Sequence, residues 1–226
     1  KRMTPSFAMA YWGSHHFWRT MDRQLHRLYA ENQHPVAFVD ESYELRSGET
    51  FYILASALVY PEDLSQTRLS LLETYGNDAI HAAPMFQRME YVSLRKAIEL
   101  AATHHDGMDV IVQAPVAEGD TRGERARRRC LEYIVPLLHH NESVSLFVLD
   151  SLDNPMAIRR DRFVFSDLRQ AGAVSRNVRE HHAFPSMEPL LGLPDLLAWS
   201  FRQRLTRRDD SWFEPLSSET TIHSLS

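Results

Sequence analysis

The run Val36-Ala37-Phe38-Val39-Asp40 decides how this chain reads: four apolar residues in succession, closed by an acid. An unbroken apolar run of that length is expected of a strand buried on both faces, at the centre of an α/β sheet. His34-Pro35 ends whatever helix comes before, because proline disfavours helical backbone at the preceding residue and has no amide hydrogen to give. Beyond the run, Ser42 to Thr50 is polar and contains Gly48, and Phe51 to Tyr60 reads as a second buried strand. So short a connection predicts an antiparallel hairpin.

Working outward, aromatic and aliphatic residues recur at helical spacing from Phe7 to Glu31 (Trp18, Met21, Leu25, Leu28, Tyr29). That spacing predicts an amphipathic helix, here an N-terminal extension of residues 1–34 packed on the core. Downstream, Pro61-Glu62-Asp63 opens a helix to about Tyr75, and a second helix covers Gln87 to Thr103. Met108 to Pro115 is a third strand, followed by a helix from Arg122 to Leu138. Val144 to Asp150 is a fourth strand and also finishes in aspartate. Asn154-Pro155 starts a helix to Gln170, Ala173 to Glu180 forms a weaker fifth strand, and Leu193 to Leu205 is the closing helix. Strands alternating with helices after an initial hairpin mean an α/β sandwich around a mixed sheet, a single domain over 35–210. Residues 211–226 read as a loosely ordered tail.

Composition sets limits. The 226 residues are 43% hydrophobic and 24% charged, ordinary globular usage. No apolar stretch is long enough to cross a bilayer and no secretion leader is visible, so the expectation is a cytoplasmic protein with no membrane partner. The lone Cys130 excludes an internal disulfide and a multi-cysteine zinc site. A net charge of -5 excludes a uniformly basic coat. Lysine occurs only at Lys1 and Lys96, and the arginines cluster at 122–129, 159–162 and 202–208, where local patches could hold phosphate. Phosphate-binding loops of the GxxxxGK[ST] and GxGxxG types and the GxSxG serine elbow are absent.

Two buried strands that each end in aspartate point to a site, since ligands in open α/β sheets gather beyond the carboxyl ends of the strands. If their strands are parallel neighbours, Asp40 and Asp150 meet there. Carboxylates so placed repel each other unless a divalent cation neutralises them, and Mg²⁺ or Mn²⁺ suits all-oxygen ligands. An aspartate at a strand end is also a common turn residue, so the pair carries more than either member. Asp195, in the first turn of an apolar helix, reads as a plain cap or as a third ligand. His81 reads as a ligand or proton shuttle, or as a surface or capping histidine. The adjacent pairs His15-His16, His104-His105, His139-His140 and His181-His182 lack the spacing of a zinc-binding helix and read as solvated. The arginine run at 122–129 reads as a solvated helix face more readily than as a phosphate contact.

Val39-Asp40-Glu41-Ser42, then Phe51 to Tyr60, Ile80-His81-Ala82, Leu149-Asp150 and Leu193-Pro194-Asp195-Leu196-Leu197-Ala198 together resemble the ordered landmarks of domain of unknown function 3800. The resemblance spans about Val36 to Arg204. Tyr43 stands where that family has glycine, Pro194 replaces an alanine, and Ala79 stands where an acid is common, leaving one ligand position unmatched except by Asp78. The resemblance implies a ribonuclease H-like fold, a mixed β-sheet flanked by helices on both faces. It also implies a divalent-metal-dependent nuclease. Asp40, Asp150 and Asp195 would hold Mg²⁺ or Mn²⁺, with Glu41 as a further ligand despite pointing, in a regular strand, to the opposite face. His81 completes the candidate catalytic set. The implied partner is nucleic acid; RNA is slightly favoured over DNA as substrate, with oligomeric state open and a homodimer allowed. The alternative is a nuclease-like scaffold without activity that binds nucleic acid or a protein partner, in a defence, toxin or mobile-element setting.

Overall fold

The computed structural model describes residues 23–45, 50–75, 80–103, 109–151 and 154–226. Expectations that fall on residues before 23, on Gly48, on Asp78 and Ala79, on His104-His105 and on Met108 lie outside these.

Helix α1 (Arg23–Glu31) leads into β1 (Val36–Glu44), which pairs antiparallel with β2 (Phe51–Val59) as a hairpin. Helices α2 (Leu64–Tyr75), α3 (Ala82–Gln87) and α4 (Tyr91–Thr103) follow, then β3 (Asp109–Pro115), α5 (Glu124–Glu142), β4 (Leu146–Asp150) and α6 (Pro155–Gln170). The chain closes with β5 (Arg179–Ala183), a short 3₁₀ turn (Pro189–Leu191), α7 (Gly192–Arg207), a second 3₁₀ segment (Glu214–Glu219) and β6 (Thr220–Ser224). The six strands form one mixed sheet in the order β5-β4-β1-β2-β3-β6. β1 is its pivot, antiparallel to β2 and parallel to β4.

Strand alternation sorts the core into two layers. Val36 and Phe38 of β1, with Leu146 and Val148 of β4, pack under α1 to α4 and α7. Ala37 and Val39, with Phe147 and Leu149, pack under α5 and α6. Helices thus cover both faces, and every residue of β2 is buried.

Four expectations change. The apolar run does not end β1 at Asp40, because the hairpin pairing continues to Glu44 opposite Phe51. The helix expected over Gln87 to Thr103 starts only at Tyr91, because a separate short helix ends at Gln87 and left-handed backbone at Met89 (φ 62) divides the two. The fifth strand lies at Arg179–Ala183 rather than 173–180, because its polar sequence gives no apolar signal and β4 dictates where it pairs. The tail is not loose: Trp212, Phe213 and Leu216 are buried and β6 pairs parallel with β3. Its sequence, Thr-Thr-Ile-His-Ser, is too short and polar to read as a strand without that partner.

Candidate metal centre

β1 and β4 are paired in parallel up to Val39 and Leu149, so the next residues, Asp40 and Asp150, stand beside each other on neighbouring strands. Adjacent strands are about 4.8 Å apart. Alternation turns both side chains to the face carrying Phe38 and Val148, the face covered by α7. Asp195, in the first turn of α7, enters from above. Gly192 makes that approach possible: a Cβ there would lie 2.9 Å from Cβ of Ile80, so only glycine lets the Ile80 segment sit against the helix start. As a result the Ala82 amide donates to Oδ2 of Asp195 at 2.6 Å, and α3 starts directly on that carboxylate.

The three acids feel one another. Asp40, buried, has its carboxyl pushed well above the usual range, first by burial and then by Asp195, Glu41 and Asp150. Its Oδ1 accepts from the Glu41 amide at 2.7 Å, which opposes the rise. Asp150 is raised to about 7, by burial and then by Glu41, with the Ser151 amide pulling the other way. Asp195 is raised to about 6 by burial, moderated by the Ala82 amide and by the nearby His81 and Arg202. Asp150 and Asp195 remain partly exposed, so the cluster opens to solvent.

The donor chemistry fits a hard cation: the ligands are carboxylate oxygens, and Oδ1 of Asp150 is buried with no hydrogen-bond partner. The cage is not preassembled. Among the described residues no three His, Cys, Asp or Glu side chains stand together as a ligand set around one ion. A cation at Asp40, Asp150 and Asp195 would have to draw these carboxylates inward.

Glu41 stands apart from the other candidates. It lies on the opposite face, where its carboxylate pairs with Arg127 of α5, as strand alternation requires. Arg127 is buried and also forks onto Asp161 of α6 at 3.0 and 2.8 Å, while its Nη1 donates to the Tyr52 hydroxyl at 3.0 Å. His182 Nε2 completes the network at 3.1 Å from Asp161 Oδ2, and its Nδ1 is buried without a partner. Glu41 still raises both Asp40 and Asp150 electrostatically, so it acts on the cluster from behind the strand. His81 is exposed at the N-cap of α3, beside Asp195 but outside the acid pair.

Arg127, Asp161, Tyr52 and His182 carry no local sequence signal of this role. Arg127 belongs to a run that reads as a solvated helix face and His181-His182 to a pair that reads as solvated, but in the structure His181 is buried and the His182 side chain is 3% exposed. Once Arg179–Ala183 is recognised as a strand, the cue is visible: a histidine on a strand beside β4 must face a packed layer. His139 and His140 also make bonds, to the carbonyls of Val144 and Ala173.

Fold and site together define an α/β protein with a six-stranded mixed sheet, helices on both faces, and an acidic cluster at the carboxyl end of β4, where its parallel pairing with β1 stops. No family model, curated protein or solved structure matches this chain. Among the described residues no helix is long and apolar enough to cross a membrane.

Proposed function

We propose that this chain is a ribonuclease H-like, divalent-metal-dependent nuclease hydrolysing phosphodiesters, as the resemblance to domain of unknown function 3800 implies, with RNA slightly favoured over DNA as its substrate. One observation carries the proposal: Asp40, Asp150 and Asp195 come from three separate elements to one sheet face, and all three carboxyls are raised. Burying like charges together costs stability, and functional sites are where such a cost is kept. The two-sided helical cover of a mixed sheet agrees with the fold that the reading requires.

Mg²⁺ or Mn²⁺ held there would activate water and neutralise charge on the leaving oxygen. The protein's own part is placement. Asp150 offers an unpartnered oxygen, Asp40 is steadied by its neighbour's amide, and the Ala82 amide orients Asp195. Glu41, tied to Arg127, adds negative potential from the far face. His81, open to solvent at the N-cap beside Asp195, stands where substrate could reach it.

The rival, an inactive scaffold, is favoured by the absence of a preassembled three-ligand set among the described residues. Incubating wild type, Asp40→Asn and Asp150→Asn with RNA and DNA under Mn²⁺, Mg²⁺ or a chelator separates the two. The nuclease reading expects metal-dependent cleavage and a loss of about 100-fold or more in each variant, on the order of 3 kcal/mol of barrier. Asparagine keeps the shape of aspartate and removes its charge, so the fold should survive. No cleavage by wild type with either metal selects the scaffold.

A further inference from the structure

One helical turn from the acid cluster lies a group of aromatic rings whose inner members belong to the core and whose outer member, Tyr91, is exposed. Phe86 of α3 meets Tyr91 at 5.3 Å, Trp199 of α7 at 5.3 Å and Trp212 at 6.0 Å between ring centres. Trp199 and Trp212 are buried and form the floor, but Tyr91 is 43% exposed and its neighbours Met89 and Val92 are 74% and 72% exposed. Two cations lie on ring faces: Arg207 is 5.0 Å from the centre of Phe86, and Arg95 is 4.4 Å from that of Trp212. Arg95 also bonds the Ser211 carbonyl and lies near Asp209, whereas Arg207 has no carboxylate partner among the described residues. The other acids here are engaged, Glu90 by Arg88 and Asp210 by Arg204.

We propose that this face is a platform for single-stranded nucleic acid, with an unpaired base stacking on the exposed Tyr91 ring while Arg207, seated over Phe86, meets the backbone phosphate. Stacked aromatics beside arginine are how proteins hold single strands without reading sequence, and stacking needs base faces that a duplex keeps covered. Position supports it. Ala82, whose amide sits on Asp195, is one turn from Phe86 along α3, and Asp195 is one turn from Trp199 along α7, about 6 Å in each case. Phe86, which touches Tyr91, therefore stands about one helical turn from the acid cluster. The proposal deepens the nuclease reading and rests on it for the choice of nucleic acid as ligand.

The test separates the two. Binding of a labelled single strand of about 10 nucleotides, and of the matching duplex, is measured in chelator, where no metal-dependent cleavage occurs. Wild type, Tyr91→Ala, Tyr91→Phe and Arg207→Gln are compared, with melting temperature as a check on folding. The platform requires single strand to bind better than duplex, Tyr91→Ala and Arg207→Gln to bind about ten-fold more weakly, and Tyr91→Phe to stay near wild type. It is overturned if wild type does not bind, if Arg207→Gln binds as wild type does, or if sedimentation shows a dimer that Tyr91→Ala dissolves, which would assign the face to a second copy. Binding without cleavage under any metal leaves the platform standing and removes the nuclease; cleavage with unaltered binding in both variants does the reverse.

Discussion

Asp150 keeps its proton up to about pH 7 and Asp195 up to about pH 6, while the unfolded chain releases each near 3.8. The folded state therefore binds more protons than the unfolded state across that interval. Stability contributed by these groups is full below about pH 4 and is lost as the pH rises through 6 and 7. Buried Asp109, raised beside Glu219, acts in the same direction, so the cluster's share is what a cluster substitution removes. Melting temperature in chelator should fall from about pH 5 to about pH 8 in wild type and fall less in Asp150→Asn, and millimolar Mn²⁺ should restore wild type at the upper end. Parallel curves with no response to Mn²⁺ would dissolve the link between the cluster and a cation. On the other face of β1, Arg127 is the counter-charge for both Glu41 and Asp161. Arg127→Met leaves buried Asp161 and half-buried Glu41 without their shared cation and should cost about 3–5 kcal/mol in urea unfolding. Arg127→Lys should recover only part of this, because an ammonium cannot fork onto Asp161.

Elements, rather than single side chains, bring the acids together. α7 can deliver Asp195 only if the segment before α3 lies against its first turn, and that contact passes through Gly192 and Ile80. Gly192→Ala leaves the backbone conformation untouched, since φ there is -63, but its methyl would meet Ile80. The segment must retreat, and with it the Ala82 amide on Asp195. A stability loss of about 1–3 kcal/mol is expected, together with weaker Mn²⁺ binding by calorimetry. Unchanged Mn²⁺ affinity in a destabilised variant would show that Asp195 does not depend on α3 for its placement. A similar close approach occurs at Gly123 (φ 68), whose missing side chain leaves room for the Tyr52 ring, 2.7 Å from where a Cβ would be. Tyr52 in turn holds Arg127, so the start of α5 and the Glu41 network are set by one glycine.

The whole sheet depends on its last strand. β6 covers the open edge of β3, pairing Val110 to Gln113 with Thr221 to Ser224, while Leu216 plugs the core beneath. A chain stopped after Phe213 should melt at lower temperature and aggregate by light scattering, because β3 would present unpaired amides and carbonyls along an apolar strand. A truncated protein that stays monodisperse with unchanged melting would make β6 dispensable.

Sequence alone determined the parts whose signals are local. An unbroken apolar run marks a central strand, and Asn154-Pro155 marks a helix start with its cap on the Met156 amide. An acid after an apolar run marks the carboxyl end of β4 at Asp150 but not of β1, which runs on to Glu44. The α/β class, the β1-β2 hairpin and the positions of Asp40 and Asp150 follow from such signals. Tertiary structure decided what depends on partners distant in the chain. Parallel pairing of β1 with β4 sets the two aspartates side by side, an arginine in a run that reads as surface becomes the buried partner of Glu41, polar strands at Arg179–Ala183 and Thr220–Ser224 form because β4 and β3 have free edges, and Phe86, Trp199 and Trp212 assemble one ring cluster from three separate segments. A residue's periodicity tells which face of its own element it occupies; what lies across from that face is settled only when the elements pack.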